Sequence, residues 1–223
     1  MIFCFTCRIQ DKFNEAYEVA VKMFKNDNSH ELYLRARELA VKTGELHSFI
    51  ENMLKFVKSN KRYDSISIIL RILSFEGNTL ELINTALQSK DYSRHDYLKY
   101  TVKSLIYRVL IDKNIKFNNL KEFIQEIKDN EIDGIVDMIK NSKDCENEYQ
   151  LLNSAIDILK EMVKFHIDAA KRNRYARAAY YCSIIKDIYT YMDEKEKFNQ
   201  YYDRIFMENN RRPALKDEMR KKI

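Results

Sequence analysis

Leu151-Leu152-Asn153-Ser154-Ala155-Ile156-Asp157-Ile158-Leu159-Lys160-Glu161-Met162-Val163-Lys164-Phe165-His166-Ile167 decides the fold class. Leu151, Leu152, Ala155, Ile158, Leu159, Met162, Val163 and Ile167 recur three and four residues apart, the spacing of one apolar stripe on a long helix. Nothing in the stretch can stop a helix, and little elsewhere can: the 223 residues hold three glycines (Gly44, Gly77, Gly134) and one proline (Pro213). A β or mixed fold needs glycine and proline at its many turns, so the chain reads as all-α.

Working outward, Lys171-Arg172-Asn173-Arg174 turns the chain into a helix carrying Tyr175, Ala178, Ala179, Cys182, Ile185, Ile188 and Tyr189. Another carries Phe198, Tyr201, Tyr202, Ile205 and Phe206, and Pro213 suits the first turn of a last short helix, where its missing N–H costs nothing. Upstream, Leu98, Val102, Leu105, Ile106, Val109 and Leu110 mark a long helix capped by Ser93 or Asp96. Shorter stripes precede it. Phe13 to Phe24 forms a first helix from about Asp11. Leu32 to Ala40 forms a second, between the turn and N-cap signal Asn26-Asp27-Asn28-Ser29 and the C′ glycine Gly44. Three more follow at Phe49–Val57, Tyr63–Leu73 and Leu80–Leu87. The count comes to about twelve helices of ordinary globular length.

So short a loop before Leu32 implies an antiparallel hairpin, and the pattern recurs. The expectation is an irregular α-solenoid of stacked antiparallel hairpins, tetratricopeptide-like but without a regular period. A weak echo supports it: Lys12-Phe13-Asn14-Glu15-Ala16, Arg62-Tyr63-Asp64-Ser65-Ile66 and Arg174-Tyr175-Ala176-Arg177-Ala178 each set a cation, a ring, then an apolar residue three positions on. Three regions are expected. Residues 1–112 form a hairpin lobe, 113–147 an acidic connecting segment with short helices at Leu120–Ile127 and Ile132–Ile139 and a loop at Asn141–Asp144, and 148–223 a second lobe with long helices.

Apolar residues at 45% and charged residues at 33% describe a folded, well-solvated chain. A net charge of +5 is too modest to identify a polyanionic partner by itself. No apolar run approaches the roughly 20 residues that cross a bilayer, and Met1-Ile2-Phe3-Cys4-Phe5 is too short for a signal peptide, so the chain reads as cytosolic with no membrane partner. Four cysteines (Cys4, Cys7, Cys145, Cys182) fit free thiols in a reducing compartment. Cys4 and Cys7 form the one metal-like spacing, but zinc wants four ligands and no second pair follows, which favours an apolar strip at the chain start. His30, His47, His95 and His166 lie on separate helices without mutual metal spacing. His30 reads as a surface position in a helix's first turn, and His166 as a half-buried, hydrogen-bonded core residue. With no glycine-rich phosphate loop, no GxSxG elbow and no convincing carboxylate pair, neither catalysis nor a cofactor is expected. Glu161 and Asp168 read as a solvated face.

The strongest functional signal is a basic, ring-rich carboxyl end. Lys171, Arg172, Arg174 and Arg177 cluster in one turn, with Arg204, Arg211 and Arg212 beyond. Tyrosine and arginine are favoured interface anchors, so Arg174, Tyr175, Arg177, Tyr181, Tyr189, Tyr202, Arg211 and Arg212 are the expected partner-binding residues. A noncatalytic scaffold for another protein is the preferred reading. The alternative is a nucleic-acid binder using the same charges and rings; the simpler reading puts the tyrosines in the core and pairs the arginines with Asp187, Glu194, Glu196 or Glu208.

Arg174-Tyr175-Ala176-Arg177-Ala178-Ala179-Tyr180, then Ile184 to Tyr189, Phe198, Tyr201-Tyr202, Ile205 and Arg211-Arg212-Pro213-Ala214-Leu215, resembles the helical carboxyl-terminal tail of prokaryotic SWIM zinc-finger proteins. The likeness covers the last quarter of the chain. It implies a helical region that accompanies a nucleic-acid- or protein-binding zinc module. The module's own CxCx…CxH pattern is absent, so zinc binding is not carried over.

Overall fold

The computed structural model describes the backbone of residues 2–60, 65–90, 94–129 and 147–223, and side chains within them except at 2–10, 65 and 127–129. Among the described residues the chain is all-α, with eleven helices and no strand. They are α1 (Ile2–Asn26), α2 (His30–Thr43), α3 (Leu46–Ser59), α4 (Ser65–Phe75), α5 (Thr79–Gln88), α6 (Arg94–Leu110), α7 (Asn118–Asp129), α8 (Glu148–Asp168), α9 (Arg172–Tyr191), α10 (Lys195–Glu208) and α11 (Pro213–Lys222). The expected helix at Ile132–Ile139, the loop at Asn141–Asp144, and Cys145 lie outside the described residues, as do the side chains of Cys4 and Cys7.

The chain divides into two compact units, Met1–Leu73 and Ser74–Ile223. The sequence boundaries would part α6 from α8, yet these two pack against each other inside the second unit.

In the first unit α1 packs on α2 and α2 on α3. Helix α1 starts nine residues before the expected Asp11, at Ile2, because Phe3 to Ile9 contains no breaker. The signals around α2 act as read. Ser29 accepts a hydrogen bond from the Leu32 N–H at 3.3 Å, and Gly44 at φ 79° donates to the carbonyls that end the helix. The small residues Ala36 and Ala40 leave room for rings from both neighbours: Phe24 meets Tyr33 at 5.8 Å, and Tyr33 meets Phe49 at 5.3 Å. Phe13, first ring of the echo, sits well inside α1 under the Lys42 ammonium, so that motif does not mark a helix head here. Tyr63, the second, is outside the described residues.

The second unit is organised by α9. It touches α7, α8, α10 and α11, and from Ala178 to Tyr189 both its apolar stripe and much of its opposite side are buried. Such a helix cannot be amphipathic, which is why Tyr175, Tyr181 and Tyr189 lie in the core with Cys182, Ile184, Ile185 and Ile188. Burial raises the Cys182 thiol to about 12, so it packs as an inert small apolar group. Asp187, buried beside these apolar residues, accepts a hydrogen bond from the Leu120 N–H at 3.0 Å. That carboxylate caps the start of α7 from another helix and gives a buried charge its partner. Helix α6 is nearly as enclosed and carries polar groups inward: Ser74 and Ser104 hydroxyls meet at 2.5 Å, and Lys103 is buried against Glu126 at 2.9 Å.

Candidate functional site: a histidine and aromatic stack beneath an arginine-bearing helix start

Where the first turns of α6 and α9 meet the last turns of α8, four rings and a guanidinium stack in sequence. Arg174 lies 5.1 Å above the Phe165 ring, Phe165 stacks on His95 at 5.3 Å, and His166 stacks on Tyr181 at 5.6 Å with planes 16° apart. The two halves join at His95 and His166, whose Nε2 atoms are 2.9 Å apart. A contact between two ring nitrogens needs one to donate and the other to accept. His166 is fully buried and its Nδ1 has no partner among the described residues. The arrangement that strands no buried N–H therefore puts the His166 proton on Nε2, donating to His95 Nε2. It leaves the His95 Nδ1–H facing Asp96 Oδ1 at 3.7 Å.

The electrostatics follow from burial and from the cations around the stack. Burial, then His95, Arg174 and Arg177, bring His166 down to about 4. His95 is also lowered, mainly by burial, with Asp96 opposing and Arg174 and Lys99 adding to the effect. Burial raises Tyr181 to about 12. Both imidazoles are neutral at physiological pH, and their two Nε2 atoms are committed to each other.

Helix α9 begins against the usual charge preference. Its N-cap, Lys171, makes no side-chain cap and its first turn holds no acid, while Arg172, Arg174 and Arg177 stand where the helix dipole is already positive. Arg172 reaches Glu218 at 3.4 Å and Arg174 covers Phe165, whereas Arg177 is exposed and makes no ion pair with a described residue. Phe165 keeps 38% of its surface exposed at the edge of this cationic ground.

The structure thus brings Arg174, Arg177 and Tyr181 of the expected set together and leaves the others apart. Tyr175 and Tyr189 are core residues, and Lys160 stands 5.7 Å over the Tyr189 ring. Tyr202 is half-buried between Phe198 and Phe206, at 5.7 and 4.7 Å. Arg212 donates to the Ile167 carbonyl at 2.5 Å and so completes the end of α8; Arg211 is exposed. Asp187 and Glu194 pair with no arginine among the described residues: Asp187 caps α7, and Glu194 holds Lys197 and the Tyr149 hydroxyl.

His166 is hydrogen-bonded in the core as the sequence suggested, but fully rather than half buried; its partner lies 71 positions away and no local spacing could have joined them. His30 departs from its surface reading: it is half-buried at the start of α2, and burial with Arg71 nearby brings it to about 4. A cavity of about 300 Å³ between α8 and α10 takes in Lys160, Glu161, Asp168, Tyr201 and Glu208. Its acids and bases alternate, and Glu161 also meets Arg94 at 3.4 Å, so no single charge develops there. Among the described residues no three His, Cys, Asp or Glu side chains are placed to hold a metal ion, and no helix is long and apolar enough to cross a membrane. No family model matches this chain, and no curated protein or solved structure matches it.

Proposed function

We propose that this chain is a noncatalytic helical scaffold that binds another protein at the start of α9. The single observation behind the reading is the set of arginines on an uncapped, already positive helix start, beside a partly exposed Phe165. Cations in that first turn oppose the dipole by about 0.3–1 kcal/mol each; Arg172 and Arg174 offset this with Glu218 and the Phe165 ring, but exposed Arg177 makes no ion pair with a described residue. An acidic partner surface would relieve that cost, and Phe165 under Arg174 supplies a ring and guanidinium pair of the kind that anchors interfaces. Solenoid-like stacking is proposed for the first unit, where consecutive helices pack, since in the second α9 touches four helices. A cytosolic location and kinship to the helical tail of SWIM zinc-finger proteins belong to the same proposal.

The alternative is nucleic acid on the same cations, with Phe165 as a stacking platform. Affinity capture from the native host separates the two, using the full chain, nuclease treatment and the variants Phe165→Ala and Arg177→Glu. The expected result is a set of proteins that survives nuclease and is lost with either variant. Loss on nuclease treatment, or identical capture by both variants, contradicts the reading.

A further inference from the structure

Away from α9, in the first unit, α1 and α3 leave an open groove of about 600 Å³ with an apolar floor of Tyr17, Val21, Met53 and Phe56. Its walls are charged unevenly. Lys22 and Lys25 line it from α1 and Lys55 from α3, against the single carboxylate Glu18. None of the three lysines makes an ion pair with a described residue, and Lys25 Nζ sits 5.7 Å over the Phe56 ring, across the groove. On α2, by contrast, two cations are matched locally: Arg35 with Glu31 at 2.6 Å, and Lys42 with Glu38 at 2.6 Å.

We infer that this groove receives an acidic amphipathic helix from a partner protein. The groove runs nine residues along α1, from Tyr17 to Lys25, or about 12 Å at the helical rise, which matches two to three turns of a guest helix. Apolar side chains of the guest at i, i+4 and i+7 would lie on Val21, Met53 and Phe56, and carboxylates on its flanks would meet Lys22, Lys25 and Lys55. Charge complementarity selects an acidic guest over a basic one, and an aliphatic floor containing Val21 and Met53 favours side-chain knobs over stacked bases. This site lies in a different unit from the α9 start and does not depend on it.

The test is fluorescence anisotropy of the full chain with three probes. One is a synthetic helical peptide of about fifteen residues with leucines at i, i+4 and i+7 and glutamates on the flanks; the others are its lysine-flanked counterpart and a short single-stranded oligonucleotide. The acidic peptide is expected to bind at least about tenfold more tightly than the lysine peptide and to lose about tenfold in Lys22→Glu/Lys55→Glu. Both positions are exposed and make no ion pair with a described residue, so the melting temperature of that variant should match the parent, and Arg177→Glu should leave peptide binding intact. Failure of the acidic peptide to bind, equal affinity for both peptides, or equal affinity in the double variant overturns the proposal. So does an oligonucleotide that binds more tightly than the acidic peptide and is lost with the same lysines.

Discussion

Glu126→Gln is expected to destabilise the second unit by about 3 kcal/mol at neutral pH, among the largest effects of any single substitution, because it leaves a buried ammonium without its counter-charge. Lys103 is 3% exposed, its Nζ lies 2.9 Å from Glu126 Oε1, and its other neighbour is the Phe123 ring at 5.6 Å. Lys99 also reaches Glu126, at 3.2 Å, but is exposed enough to find water instead. Burial holds Lys103 below the usual lysine range, with Glu126 opposing that shift. Burial pushes Glu126 up, but Lys103 and Lys99 outweigh it and hold the carboxyl below its usual value.

The sign of the pH dependence follows. Without Glu126 the folded chain resists the Lys103 proton while the unfolded chain still binds it, so stability should rise with pH toward the lysine range. Lys103→Met should be nearly neutral, since an apolar side chain of similar length suits the site. The double variant should recover most of what Glu126→Gln loses. Urea denaturation of the four proteins measures this; a double variant as unstable as the single one would show that the pair is not coupled.

Mild acid should destabilise the protein before most of its carboxylates are titrated. His166 and His30 both fall from 6.5 to about 4 in the folded chain, His166 by burial and by His95, Arg174 and Arg177, His30 by burial and Arg71. Between pH 6.5 and 4 the unfolded chain takes protons that the folded chain refuses. Stability is therefore full above 6.5, falls with the pH, and levels off below 4 as far as these groups are concerned. For fully buried His166 the loss is on the order of 3 kcal/mol. At 2.9 Å, with Arg174, Arg177 and Lys99 nearby and only Asp96 opposing, His95 and His166 cannot both be charged. His166→Phe keeps a ring against Tyr181 and removes the titration, so its stability should be flatter across this range. An unchanged acid slope in His166→Phe would place the sensitivity elsewhere.

These effects come from contacts that sequence spacing does not display. Helix α2 was legible because its signals are local: Ser29 and Gly44 each act within four residues of their own position. The stripe of α8 was legible because that helix has one buried side with exposed Asp157 and Lys164 opposite. Helix α9 defeats the same reading. With four helices around it, tyrosines such as Tyr181 and Tyr189 are buried along with Ile185, and periodicity cannot tell an interface ring from a core ring. Only its basic start, outside the enclosed part, kept the expected surface character. The polar interior was hidden for another reason: Ser74 finds Ser104, Lys103 finds Glu126, and His95 finds His166 only after the chain has folded.

Native-state hydrogen exchange on the full chain tests the central claim most directly, that α9 is the enclosed helix of the second unit and is open mainly at its first turns. Amides from Ala178 to Tyr189 should exchange slowest in that unit, near the rate set by global unfolding, while those of α10 and α11 open earlier through local fluctuations. Exchange in α9 as fast as in α10, or protection confined to its arginine-bearing start, would contradict the account.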